Sequence, residues 1–253
     1  MSESDAILSL SWGGLLYLAV VLALASFARG YAGFGAPALL ITGGSLVASP
    51  HVLVPVILLL DTIGGCGQLR GVLANVQWRR VGLLLLGSAA GTPLGVAALH
   101  LIDPDTARIV LAVYVMAVCL AMLRGWRLAR PVGDVGLGLL GFACGFVTGV
   151  IAMGGLVVVA FLTADGTRPA ALRATLIAYF LPLGGYAVAL FATQGRFGND
   201  GAMVTLLALP ILATGVWLGG RHFLSASPEQ FRRFTLGLLM VLAVAAFVRA
   251  VAG

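Results

Sequence analysis

The stretch Ala28-Arg29-Gly30-Tyr31-Ala32-Gly33-Phe34-Gly35-Ala36-Pro37 (ARGYAGFGAP) follows an apolar run, LLYLAVVLALASF, that carries no charge. A permanent cation and three glycines at the end of such a run set the problem for the whole chain. Glycines this dense interrupt a helix, and Pro37 stands where a new helix can begin. The segment therefore reads as a break between two helices, placed where the first has just crossed an apolar medium.

Composition identifies that medium. The 253 residues are 60% hydrophobic and 9% charged, against roughly 25% charged in an ordinary soluble domain. Mean hydropathy is +1.08. Apolar stretches near the length needed to span a hydrocarbon core recur along the chain. They lack the polar–apolar alternation of membrane barrel strands. The fold class is an all-α polytopic membrane protein. All fifteen basic residues are Arg and none clusters beyond a pair. The net charge of +6 thus reads as orientation charge at membrane faces, with no nucleic-acid surface. Cys66, Cys119 and Cys144 are widely spaced in apolar stretches and read as small packing residues, so neither a disulfide framework nor a metal site is expected. No cofactor is implied. The first residues, MSESDAILSLSWGG, are acidic where a secretory signal is positive, and the first helix is expected to be retained.

The break recurs. At an offset of 119, Gly30 falls on Gly149, Gly35 on Gly154, Pro50 on Pro169 and Gly65 on Gly184. At an offset of 124, Gly91 meets Gly215, Pro104 meets Pro228 and Arg108 meets Arg232. Ordered matches along a whole half indicate duplication. Residues 1–126 form a first transmembrane repeat and 134–253 a second, together one membrane domain. The first is expected to place helices over 8–29, 35–48, 51–70, 81–101 and 107–125. The second places them over 135–152, 155–164, 171–193, 201–222 and 230–250. Each repeat thus has four long transmembrane helices and one short helix at the break. If the short helix crosses, the halves are inverted, and twelve of the fifteen arginines share one side of the membrane. If it is re-entrant, the split is eight to seven. Positive charge gathers on the cytoplasmic side, so inverted repeats are expected.

Inverted repeats with glycine-broken helices at matching positions point to the binding site of a secondary transporter working by alternating access. Unwound backbone survives at membrane depth only against protein or a watery cavity. A helix starting there presents free N–H groups and a positive dipole end to an anion. The candidate substrate-binding residues are Arg29, Gly30, Tyr31, Gly33 and Gly35 in the first break. In the second break, TGVIAMGG, they are Thr148, Gly149, Met153, Gly154 and Gly155.

GYAGFGAP and GVIAMGGL, duplicated across nearly the whole chain, resemble the breaks of the TauE/SafE family of sulfite and organosulfonate exporters. That family's breaks read approximately G-x-x-G-x-G-G-G. Ala36 and Pro37 depart from it in the first break, and Ala152 and Leu156 in the second. The resemblance implies transport of a small anion bearing sulfur or carboxylate.

Two charges lie at membrane depth. A charged side chain there costs about 2.5–3.5 kcal/mol on insertion scales and marks function by default. Arg29 either supplies positive charge to a bound anion or snorkels to the cytoplasmic headgroups as a topology anchor. Asp61, in VILLLDTIGG, is read first as a proton-coupling site, and otherwise as a counterion for Arg29 or a neutral hydrogen-bonder. Its match in the second half is Phe180. Gly141, Gly145 and Gly149, like Gly87, Gly91 and Gly95, have the spacing of close helix packing. His51, His100 and His222 fall near span ends. An anion channel or passive facilitator is the nearest alternative, though polar residues are too sparse for repeated pore rings. Motifs of intramembrane enzymes are absent from the sequence. A bacterial plasma membrane is the expected location.

Overall fold

The computed structural model describes residues 10–69, 71–99, 101–123, 132–195 and 199–222, with Met240 and Val244. Its helices are α1 (Trp12–Ala32), α2 (Ala36–Gly44), α3 (Pro50–Leu69), α4 (Trp78–Leu99), α5 (Pro104–Leu123), α6 (Asp134–Ile151), α7 (Gly155–Ala164), α8 (Pro169–Thr193) and α9 (Asn199–His222). No strand occurs among the described residues. Six of the helices are long and apolar enough to cross a membrane, and the chain is a multi-pass membrane protein. The helix expected over 230–250, like the surroundings of His100 and Arg70, lies outside the described residues except at Met240 and Val244.

Local chemistry sets the helix ends. Ser11 caps α1, its hydroxyl accepting from the Gly14 N–H at 3.3 Å. At the other end Gly33 takes the left-handed conformation (φ 80°) and donates its N–H to the Arg29 carbonyl at 2.7 Å, a glycine C-terminal stop. Gly35 (φ 94°) then opens α2, with Pro37 in its first turn. Nearly every α2 side chain is buried. The expected helix over 35–48 ends early, at Gly44, with Tyr17 donating its hydroxyl to the Gly43 carbonyl at 3.2 Å.

The course of the first helices follows from their contacts. Gly43 packs on Val21, and Gly44 on Leu53 and Leu18, so α2 runs back along α1. Then α3 climbs again, from Leu53 at that level to Asp61 beside Arg29, and on to Gln68 at the Arg29 and Gly30 carbonyls. α1 and α3 therefore run in the same direction, with the short α2 returning between them.

Three helix pairs hold the bundle. The tightest is α4 with α6, where a Cβ on Gly87, Gly91 or Gly95 would overlap the α6 backbone at Gly138, Phe142 and Phe146. Gly141, Gly145 and Gly149 meet the α4 backbone at Leu84, Ser88 and Thr92 in return. Without a hydrophobic drive between helices in lipid, such close backbone approach supplies the attraction. The second pair, α9 with α1, repeats this interface: Gly219 meets Phe27 as Gly95 meets Phe146, and Gly30 meets Val216 as Gly149 meets Thr92. In the third, α3 and α8 cross in opposite chain directions, with Gly65 against Leu181, Gly184 against Thr62, and Val72 against Ala174 and Ile177. Thr62 and Leu181, and Gly65 and Gly184, are matched positions at the offset of 119, so this contact is reciprocal.

One expectation is corrected. Cys66 is exposed, on the face of α3 shared with Ile63 and Gly67, while Cys144 is buried as a packing residue should be. An apolar neighbourhood in sequence cannot tell the exposed side of a membrane helix from its packed side, because both can be apolar.

Candidate functional site

Arg29 projects from the last turn of α1 toward Asp61 in the middle of α3, and the two form an ion pair through Nη1 and Oδ1. Arg29 is 1% exposed and Asp61 7%, so the guanidinium does not snorkel to a membrane face. Glycine makes room for it: a Cβ on Gly64 would lie 3.1 Å from Arg29 Nε, and one on Gly65 2.9 Å from Nη2. Nε itself has no hydrogen-bond partner among the described residues. A guanidinium has five donors in a planar fork matched to two-oxygen acceptors. Here a single carboxylate oxygen occupies one of them, and burial raises the value of any anion that engages the rest.

Arg29 and Asp61 line a narrow cavity, partly open to its surroundings, that suits a solute of few heavy atoms. Both breaks open into it. The first contributes Phe34, Gly35 and Pro37, and the second Thr148, Ala152, Met153 and Gly155. The first residues of α2 and of α7 therefore face the same space, and each helix start directs its positive dipole end there. Four pairs 119 residues apart meet across the cavity: Arg29 with Thr148, Phe34 with Met153, Pro37 with Leu156, and Asp61 with Phe180. One half supplies an ion pair, and the other a hydroxyl and a ring.

Of the residues expected at the site, Arg29, Gly35, Asp61, Thr148, Met153 and Gly155 line the cavity. Gly30, Tyr31, Gly33, Gly149 and Gly154 stand behind it. Gly30 and Gly149 are pressed on α9 and α4, Gly33 lies against Arg173 and Ile177, and Gly154 against the Cys144 carbonyl and Thr148. Tyr31 is buried where α9 approaches through Gly219. Phe34, Leu58, Phe180 and Leu183 complete the wall, and an apolar residue within an apolar span gives no sign of that role. Polar contacts brace the second break. The Tyr114 hydroxyl donates to the Met153 carbonyl at 3.0 Å. Ser88 Oγ, 2.6 Å from the Tyr179 hydroxyl and 2.8 Å from the Leu84 and Gly141 carbonyls, ties α4, α6 and α8 behind Thr148. Among the described residues no His, Cys, Asp or Glu cluster could hold a metal ion.

Ala152 lies 119 residues after Gly33 and shares its left-handed backbone, at φ 57°. An L-residue there costs about 1–2 kcal/mol, partly offset because glycine frees the unfolded chain. Ala152→Gly is expected to raise stability by about 0.5–1 kcal/mol, or a few degrees of melting temperature. Thermal unfolding in detergent measures it, and a lower melting point would show that the alanine methyl packs to advantage.

Comparison with known proteins adds an independent observation. Residues 18–246 match the sulfite exporter TauE/SafE family. The chain is similar to a probable sulfite/organosulfonate exporter TauE of Cupriavidus necator, 24% identical over 233 residues that cover 89% of this chain and 91% of that one. It is also similar to a probable inner membrane transporter protein TsaS of Comamonas testosteroni, 27% identical over 174 residues, 66% of this chain and 70% of the other. No solved structure matches.

Proposed function

Since the chain belongs to the sulfite exporter TauE/SafE family, we propose that it is a secondary transporter that exports a small anion. The substrate class is sulfite, an organosulfonate or a small carboxylate, and the membrane is the bacterial inner membrane. The observation that carries this reading is the buried Arg29–Asp61 pair lining a cavity where two helix starts converge. Arginine with two dipole ends suits an oxyanion. The relatives' names point to the same class of solute.

The repeat contacts support alternating access between inverted halves. Reciprocal crossing of α3 and α8 in opposite directions is what a pseudo-two-fold axis in the membrane plane would produce, and the twin interfaces α4–α6 and α9–α1 fit the same axis. Arg79, Arg80, Arg173 and Arg221 belong to helix ends that meet at one end of the bundle, where Gln77 N–H reaches Thr175 Oγ1 and Arg80 pairs with Asp165. That end is cytoplasmic by the positive-inside rule.

The Arg29–Asp61 pair gives a coupling step. An anion arriving at Arg29 competes with the Asp61 carboxylate for the guanidinium. A displaced carboxylate in an apolar cavity takes up a proton in preference to remaining as an unpaired buried charge. Anion and proton then move together in the direction of their combined gradients, and the proton leaves as Asp61 returns to Arg29. Export proceeds where the anion's outward gradient outweighs the inward pull on the proton. Uptake of radiolabelled sulfite, sulfoacetate and small carboxylates into proteoliposomes, with and without a pH gradient, tests the whole reading. Saturable, gradient-driven uptake is expected, and Asp61→Asn should leave residual flux that ignores the gradient. Fast flux that neither saturates nor concentrates would replace the transporter with a channel. An Asp61→Asn protein that keeps its pH dependence would remove Asp61 from coupling.

A further inference from the structure

The central cavity holds one charge of each sign. Of the residues that line it, Arg29 and Asp61 are charged, Thr148 carries a neutral hydroxyl, and the rest are apolar or glycine. Duplication could have supplied a second charge, but the position 119 residues after Asp61 is Phe180. The end of its ring lies on the second break, where a Cβ on Gly155 would come within 3.0 Å of Cζ. Behind Thr148 the titratable side chains are Cys144 and Tyr179, engaged with Thr148, Ser88 and each other. Arg173 does not line the cavity and donates to the Gly30 carbonyl. From the helices around the cavity, Asp61 therefore faces one charge, that of Arg29. Helix ends add direction but no net charge. Each break joins the end of one helix to the start of the next, Ala32 to Ala36 and Ile151 to Gly155. A negative and a positive dipole end thus lie a few residues apart in each, and their partial charges offset. The breaks can orient an oxyanion without raising the charge that the site can hold.

With Asp61 on Arg29 the lining is neutral. An anion that takes the guanidinium leaves Asp61 to accept a proton from water on the loading side. The site then holds one positive and one negative charge. A solute with two negative charges would leave one of them uncompensated at membrane depth, a loss of about a hundredfold in binding. We propose that the central site accepts singly charged oxyanions and rejects doubly charged ones, so that one anion and one proton cross together with no net charge. Sulfite accordingly moves as hydrogensulfite, and an organosulfonate as a monoanion such as methanesulfonate. The proton returns to water on the far side as Asp61 pairs again with Arg29. This inference rests on the anion reading of the cavity and narrows its substrate class.

Sulfoacetate and sulfoacetamide have nearly the same shape and differ by one charge, so together they separate charge from size. Their binding is measured by calorimetry in detergent at neutral pH, in buffers of different ionisation enthalpy, which reads the protons taken up. Sulfoacetamide is expected to bind with uptake of one proton, and sulfoacetate about a hundredfold more weakly. Asp61→Asn should keep the preference for sulfoacetamide and lose the proton uptake, whereas a carboxylate that only braced α3 would leave the uptake unchanged. Arg29→Gln should lose the binding of both. In proteoliposomes, a potential set by valinomycin and a potassium gradient of about tenfold should not alter sulfoacetamide uptake, where a monoanion crossing alone would redistribute about tenfold. The proposal is overturned by sulfoacetate that binds as tightly as sulfoacetamide, by sulfoacetamide that binds without a proton or not at all, or by uptake that follows the potential. Saturable flux alongside any of those results leaves the transport reading in place. Charge-selective, proton-linked binding in a protein that shows no flux leaves the site as described and removes the transport reading.

Discussion

Arg29→Gln is expected to abolish saturable anion flux, by about a hundredfold or more, in a protein that still folds. Each hydrogen bond to a charged partner contributes about 1.5–3 kcal/mol, and each 1.4 kcal/mol is about tenfold in affinity. An anion held by two guanidinium donors therefore loses about a hundredfold when the guanidinium goes. Stability follows a different rule. Breaking a buried ion pair costs about 3–5 kcal/mol when the remaining charge stays unpaired. Asp61 can escape that penalty by taking a proton, whereas a guanidinium retains its charge. Arg29→Gln should thus be milder for folding than Asp61→Asn, which strands a cation that is 1% exposed. Arg29→Gln combined with Asp61→Asn should melt close to the parent, since neither charge remains, and should still transport nothing. Arg29→Lys keeps the charge but loses the planar fork, and should retain a fraction of the flux. Melting temperature and proteoliposome uptake measured on the same preparations separate the two effects. A double variant that transports at the parental rate would end the case for Arg29 as a ligand.

Much of the fold is legible in the sequence because glycine and proline mark its joints. Nine of the expected spans correspond to α1 to α9, with boundaries moved by a few residues. One of the larger moves is at the end of α2, where GGSLVAS carries no charge or proline to stop a helix, and the stop comes from Gly43 and Gly44 packing on α1 and α3. The site is legible only where a residue is anomalous for its surroundings. Arg29, Asp61 and Thr148 stand out as polar groups in apolar spans, and all three line the cavity. Phe34, Leu183 and Phe180 do not stand out, although they wall the same space. Glycines mislead in the other direction, because a break facing a ligand and a close helix contact call for the same residue. Gly30 and Gly149 were expected at the substrate and are found against helix backbones. Arg173 counts as an orientation charge in the sequence, and only the folded chain sets it at the end of α1 beside Gln68.

Gly154→Ala is expected to damage the folded state by packing alone, and its match in the first break explains why. Gly35 and Gly154 occupy equivalent places 119 residues apart, yet each is glycine for a different reason. Gly35 has φ 94° and open space around its missing Cβ, so conformation requires it. Gly154 has no such angle, but a Cβ there would overlap the Cys144 carbonyl oxygen and Thr148 Oγ1. Gly35→Ala should therefore cost about the left-handed penalty, 1–2 kcal/mol, with the surrounding packing intact. In Gly154→Ala the obstacle is helix backbone, which cannot rotate aside as the end of a side chain can. The break has to move off α6, and with it go Thr148 and the start of α7 that face the cavity. Overpacking of a well-filled site costs about 1–3 kcal/mol and more where backbone must shift. A loss at the upper end lowers the melting temperature by roughly 10 °C for a chain of this size. Gly185→Ala is the control: its Cβ would meet nothing within 4 Å, and alanine favours the helix by about 1 kcal/mol. Size-exclusion profiles and thermal unfolding in detergent compare the three. A Gly154→Ala protein as monodisperse and as heat-stable as the parent would mean that the second break is looser than its packing implies, and that Thr148 is not held in place by it.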